Sequence, residues 1–205
     1  MALSAALEPV VPDPSLPVVW TGGDSVSMGW VGPLREALSG EASVLRPNEN
    51  CSTSAYWLER LEHYWWPLGQ ARGVSVVVFN MGLHDIMPHR AISQSAYGDN
   101  LDALVVVLRR LFPRAQLLFV NTSFVGENPG TVGRDNANVI LYNGEASTRM
   151  AAQGVPVLDM YALCAANYPA WYVDEGSFTQ DDEHMNDTGK AAQGAWLAGI
   201  IRGYL

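Results

Sequence analysis

An α/β fold, a parallel sheet with helices on both faces, is what this sequence predicts, on three observations. Short β-like runs alternate with helix-like segments of about 10–18 residues, the signature of βαβ units. Five such runs are each bounded by Gly, Pro, Asn or Asp. No internal repeat, low-complexity tract or second composition regime interrupts the alternation, so residues 16–205 read as one domain behind a Pro-rich arm, residues 1–15.

The elements follow in order. Pro17-Val18-Val19-Trp20-Thr21 is a buried-strand candidate that ends in Gly22-Gly23, and 31–38 is a short helix stopped by Ser39-Gly40. Residues 42–45 form a second strand before Arg46-Pro47-Asn48. Trp57, Leu58, Leu61 and Trp65 recur at helical spacing and make 54–65 an amphipathic helix. Residues 74–79, a β-branched run between Gly73 and Asn80-Met81-Gly82, are the clearest strand. A helix over 100–112 is broken by Pro113, a fourth strand covers 116–121, and the Gly- and Asn-rich stretch 126–136 reads as a long loop. A helix over 138–153 stops at Gly154, a fifth strand follows at 155–159, and 187–204 is the closing helix.

Composition removes several function classes. Only 16% of the residues are charged and 48% are hydrophobic, so a core is available and disorder is excluded as the main state. The 12 cations against 21 anions leave a net charge of −9, with eleven Arg, a single Lys (Lys190) and no basic block. A surface that tracks nucleic-acid phosphates is therefore not expected. No apolar run reaches the roughly 18–20 residues of a membrane span. Residues 1–15 carry no basic residue and three prolines, so no signal peptide is expected as written; the compartment is left open between cytoplasmic, on the sequence as written, and secreted. A secreted form would need a leader ahead of Met1. Cys51 and Cys164 do not make a disulfide framework; they read as two buried free thiols, with one long-range bridge between them as the alternative.

In open α/β sheets, ligands sit outside the carboxyl ends of the strands. Chemistry is then expected near 21–30, 46–54, 80–90 and 121–136, and candidates lie in the first three. Ser25, in Gly22-Gly23-Asp24-Ser25, sits at a strand-to-helix turn where its hydroxyl and nearby N–H groups face one space. A lone Ser there is most often a helix cap. Asn48-Glu49-Asn50-Cys51-Ser52-Thr53 offers a backbone N–H as a further donor to an oxyanion, or a helix cap by Ser52 or Thr53. Asn80-Met81-Gly82-Leu83-His84-Asp85 offers His84, with Asn80 as a substitute donor. Separately, Asp181 stands three residues before His184, a spacing that lets the carboxylate orient the imidazole while the other ring nitrogen takes a serine proton. His84, Asp85 and His89 lack a usual zinc spacing, and no metal or cofactor is expected.

Together the ordered blocks resemble the SGNH (GDSL-type) hydrolase superfamily, in a branch with Phe-Asn-x-Gly-Leu-His-Asp at 79–85. Asp24-Ser25-Val26-Ser27-Met28-Gly29, Asn48-Glu49-Asn50-Cys51 and Leu158-Asp159-Met160-Tyr161-Ala162-Leu163 also match, so the resemblance runs from Val18 to the C-terminus. It implies a flavodoxin-like three-layer α/β/α sandwich with strand order 2-1-3-4-5. It implies Ser25 as nucleophile, His184 as base and Asp181 as its acid, with Asp182 as rival. Two positions depart from the pattern: Ser52 stands for the usual block-two Gly and His84 for the block-three Asn. The α/β-hydrolase elbow Gly-x-Ser-x-Gly is not met, because Ser27 follows where its second Gly belongs.

The implied activity is that of a serine esterase on short-acyl, above all acetyl, esters of small molecules or carbohydrates. An acyltransferase, or a lysophospholipase or thioesterase on longer chains, stands as the alternative. Asp24, Trp30 and Asp85 are expected to contact substrate. Trp57 and Trp65, on one helix face, are expected in the core.

Overall fold

The structure, a computed structural model, describes residues 6–62, 73–126, 134–172 and 183–205. Five parallel strands, β1 (Val18–Gly22), β2 (Ser43–Leu45), β3 (Val74–Asn80), β4 (Gln116–Val120) and β5 (Val157–Leu158), pair in the order β2-β1-β3-β4-β5. The helices are α1 (Ser25–Ala37), α2 (Ser54–Arg60), α3 (Gln94–Leu111), α4 (Asn136–Ala152), α5 (Met160–Ala165) and α6 (Asp187–Ile201).

Strand alternation sorts the core into two layers. Val19, Val76, Val78, Leu118 and Val120 face one side and pack with Leu34 of α1 and Leu197, Ala198 and Ile201 of α6. Val18, Trp20, Val77, Phe79, Leu117 and Phe119 face the other and pack with Trp57, Leu101, Leu104 and Met150 of α2, α3 and α4. Both faces are apolar because both are covered, as the run of valines in β3 requires. The indoles of Trp20 and Trp57 stack with centroids 5.9 Å apart.

Several boundaries move. Helix α1 begins at Ser25 rather than Val31, because Asp24 caps it and five apolar side chains, Val26 to Leu34, are buried along it. Burial outweighs the low propensity of Gly29, Gly32 and Pro33. Helix α3 starts at Gln94, capped by Ser93, six residues before the sequence pattern places it. Strand β5 shrinks to two residues, because Asp159 caps the short helix α5, an element the hydrophobic pattern does not reveal. Residues 127–133 of the expected long loop, together with Trp65 and Trp66, lie outside the described residues.

The arm packs on the domain where it is described. Ala6 is buried in the core, and the Asp13 N–H donates to Ser43 Oγ at 2.9 Å. Cys51 and Cys164 are free and buried in opposite core layers. Burial pushes their thiols up to about 12 and about 11, respectively. Among the described residues, no helix is long and apolar enough to cross a membrane.

Candidate active site

Ser25 is the first residue of α1, at the carboxyl end of β1. First-turn N–H groups have no acceptor within their own helix, which leaves the Ser25 N–H without an intrahelical partner. Asp24 makes the turn: its Oδ1 accepts from Val26 N at 3.0 Å, and Ser27 Oγ donates to its carbonyl at 2.6 Å. Gly23 is there for close approach. A Cβ on it would lie 1.9 Å from Asn80 Oδ1 and 2.8 Å from Ser27 Oγ.

The turn is sewn to the loop after β2. Cys51 N donates to Gly23 O at 3.1 Å, and Gly23 N donates to Cys51 Sγ at 3.2 Å. Arg46, a residue the sequence motifs do not flag, is buried here. It donates to the carbonyls of Pro47 (3.0 Å), Glu49 (3.2 Å) and Gly23 (3.4 Å), and to Ser27 Oγ (3.4 Å).

His184 lies just before α6, and its Nε2 is 2.8 Å from Ser25 Oγ, across 159 positions of chain. Both side chains are partly exposed. Asp181 and Asp182 lie outside the described residues.

The turn after β3 supplies His84. Gly82, at φ 142, opens it in a backbone region that side chains avoid, and a Cβ there would meet Thr122 Oγ1 at 2.1 Å. Tyr97 Oη and Thr122 Oγ1 hold the Met81 carbonyl at 2.8 and 3.1 Å. His84 is half-buried, with neither ring nitrogen hydrogen-bonded among the described residues. Burial lowers its pKa, Asp24 works against that, and the charges of Arg134, Arg90 and His184 add to it. That direction favours the neutral imidazole, which still carries one N–H that can donate. Asn80 ends β3 with its Oδ1 buried and unpartnered among the described residues.

Ser52 has φ 54, in the left-handed region that glycine favours, which fits its standing at a glycine position of the motif. Its N–H donates to Asn50 Oδ1 at 2.8 Å. In this structure it is thus engaged by a side-chain acceptor.

The three residues expected to contact substrate are corrected. Trp30 has no exposed surface and packs in the α1–α6 core layer, because its position on α1 turns it inward. Asp24 is fully buried as the α1 cap. Asp85 is buried and serves α2 instead: it accepts from Ser54 N at 3.0 Å and from Ser54 Oγ at 2.5 Å, while Asn100 Nδ2 donates to Ser54 Oγ at 3.0 Å. Burial pushes its carboxyl up to about 7 against the downward pull of the Ser54 bonds. His89 is exposed, and no group of three His, Cys, Asp or Glu side chains that could hold a metal ion occurs among the described residues.

A second buried residue without a motif is Arg134, just before α4. It donates from Nε to Leu83 O at 2.9 Å and from Nη1 to the carboxylate of Glu183, the neighbour of His184.

Comparison with known proteins gives a family and a fold. Residues 18–192 match the model of the GDSL-like lipase/acylhydrolase family. No curated protein sequence matches the chain. Among solved structures, the lipase/acylhydrolase from Enterococcus faecalis is similar at 18% identity and TM-score 0.71, over 91% of this chain and 96% of that one. The acetyl xylan esterase AlAXEase is similar at 17% identity and TM-score 0.71, over 90% and 99%. The carbohydrate acetylesterase Est24 from Sinorhizobium meliloti is similar at 13% identity and TM-score 0.69, over 92% and 100%. At these identities the structural likeness speaks to the fold.

Proposed function

The chain belongs to the GDSL-like lipase/acylhydrolase family and is a carboxylic ester hydrolase; from that premise we propose that it removes short acyl groups, above all acetyl, from carbohydrate or similar neutral alcohols through an acyl-enzyme on Ser25. The observation that carries the reading is the 2.8 Å contact between Ser25 Oγ and His184 Nε2.

Ser25 Oγ attacks the ester carbonyl while His184 Nε2 takes its proton. Asp181 holds the opposite ring nitrogen and so fixes the tautomer. The tetrahedral oxyanion accepts from the Ser25 N–H and from the neutral His84 ring, with Asn80 as the substitute donor. The Ser52 N–H joins them by exchanging Asn50 for the oxyanion. Collapse expels the alcohol, which takes the proton from His184. Water, deprotonated by the same nitrogen, then attacks the acyl carbonyl, and acid and free Ser25 are released.

Two considerations support a neutral acetyl ester as substrate. The chain's net charge of −9 opposes anionic ligands. Two of its structural neighbours are esterases of acetylated xylan or carbohydrate.

A substrate panel tests this. Acetic acid release from acetylated oligosaccharides, and aryl esters of rising chain length, are assayed with and without acceptor sugars. Acetyl esters are expected to lead in kcat/KM. A preference for long acyl chains, or acyl transfer to the added sugars, would contradict the proposal.

A further inference from the structure

Arg134 and Glu183 are both deeply buried, their side chains 7% and 3% exposed. Taking two charges out of water costs several kcal/mol apiece before their attraction repays it, and well-packed apolar replacements are often as stable or more so. Stability alone therefore gives little reason to keep the pair.

Its location gives a better one. Arg134 Nε donates to the carbonyl of Leu83, the residue before His84, while Nη1 donates to Glu183, the residue before His184. A guanidinium is a rigid planar fork, so the angle between its two bonds is not adjustable. Arg134 itself is held at the start of α4, where Asp135 caps the helix by accepting from Asn138 N at 2.9 Å. The sequence separations, 51 and 49 residues, show that no local element does this work.

We infer that Arg134 and Glu183 are positioning residues, one guanidinium setting the spacing between the His84 turn and the loop that presents His184 to Ser25. The inference rests on the Ser25 reading proposed above. Neither side chain touches the reacting atoms. Arg134 acts through the Leu83 carbonyl on the His84 side and through the Glu183 carboxylate on the His184 side.

The test compares wild type, Arg134→Met/Glu183→Leu and Arg134→Lys by thermal melting, by kcat and KM on an aryl acetate, and by fluorophosphonate labelling. The double variant removes both charges together but also takes the donor from the Leu83 carbonyl, so it is expected to melt close to wild type. Its kcat is expected to fall about 10–100-fold with KM within about twofold, the loss that a displacement of about 1 Å brings. Arg134→Lys keeps the charge but not the fork, and is expected to lie between the two. A folded double variant with wild-type kcat overturns the inference. Should that variant not fold, Arg134→Lys decides alone: a loss of about tenfold in kcat supports the positioning role, and wild-type kcat overturns it. If wild type itself is not labelled at Ser25, the Ser25 reading fails and takes this inference with it. Labelled wild type together with an unaffected double variant removes only the positioning role.

Discussion

The nucleophile and its base are held in different ways. Ser25 sits in a turn fixed within a few residues, by the Asp24 cap and the Ser27 hydroxyl, and stitched to the next loop by Cys51 and Arg46. Among the described residues, those flanking His184 are held by partners distant in the chain. Glu183 is tied to Arg134, and Asn186 N donates to Trp171 O at 2.7 Å while its side chain caps α6. The nucleophile turn is thus shaped by local caps and braced by the loop after β2. The base side depends on tertiary contacts, so its geometry is open to adjustment without unfolding the turn that carries Ser25.

Four changes break or sharpen that contrast. The largest effect falls on the base side. Asp181→Asn is expected to lower kcat on an aryl acetate by about 10³–10⁴-fold, as loss of the tautomer-fixing acid does, while Asp182→Asn stays within a few-fold. The reverse ranking would reassign the acid.

Next comes the oxyanion. His84→Ala should cost on the order of 10²-fold in kcat, and His84→Asn, which restores an N–H donor, much less. Equal activity in both variants and in wild type would remove His84 from the site.

On the nucleophile side, Gly23→Ala places a Cβ 1.9 Å from Asn80 Oδ1 and should cost about 1–3 kcal/mol in a urea melt. Gly144→Ala, in open space on α4, should instead stabilise by about 0.5–1 kcal/mol. If the two behave alike, the turn is less tightly packed than its distances state.

The smallest effect concerns Asp85, the seam between the His84 turn and α2. Its folded carboxyl lies at about 7, above the ordinary carboxylate value, so folding favours the protonated form. The stability this proton contributes is present below the unfolded pKa and is lost as pH rises through about 7. Between pH 4.5 and 7.5 wild type should therefore lose about 1–3 kcal/mol relative to Asp85→Asn. Parallel urea midpoints for the two proteins across that range would contradict the assignment.

The same contrast governs what could be read from the sequence. Strands were legible because a sheet covered on both faces demands unbroken β-branched runs, as Val74 to Phe79 supply. The start of α1 was not, since glycines and a proline hide a helix that tertiary burial secures. Ser25, His84 and His184 could be picked out because each stands in a short motif at a strand end or before the last helix. Trp30 was misplaced because an aromatic next to the nucleophile turn looks the same in sequence whether it points inward or out. Arg46 and Arg134 left no trace, because an arginine's burial is decided by partners up to 51 residues away.

The central claim is that Ser25 is the nucleophile and His184 its base. Fluorophosphonate labelling, with the modified peptide identified by mass spectrometry, tests it most directly. A single adduct on Ser25 is expected, absent in Ser25→Ala and formed at least about 10²-fold more slowly in His184→Ala. An adduct on another residue, or labelling unaffected by either substitution, would contradict it.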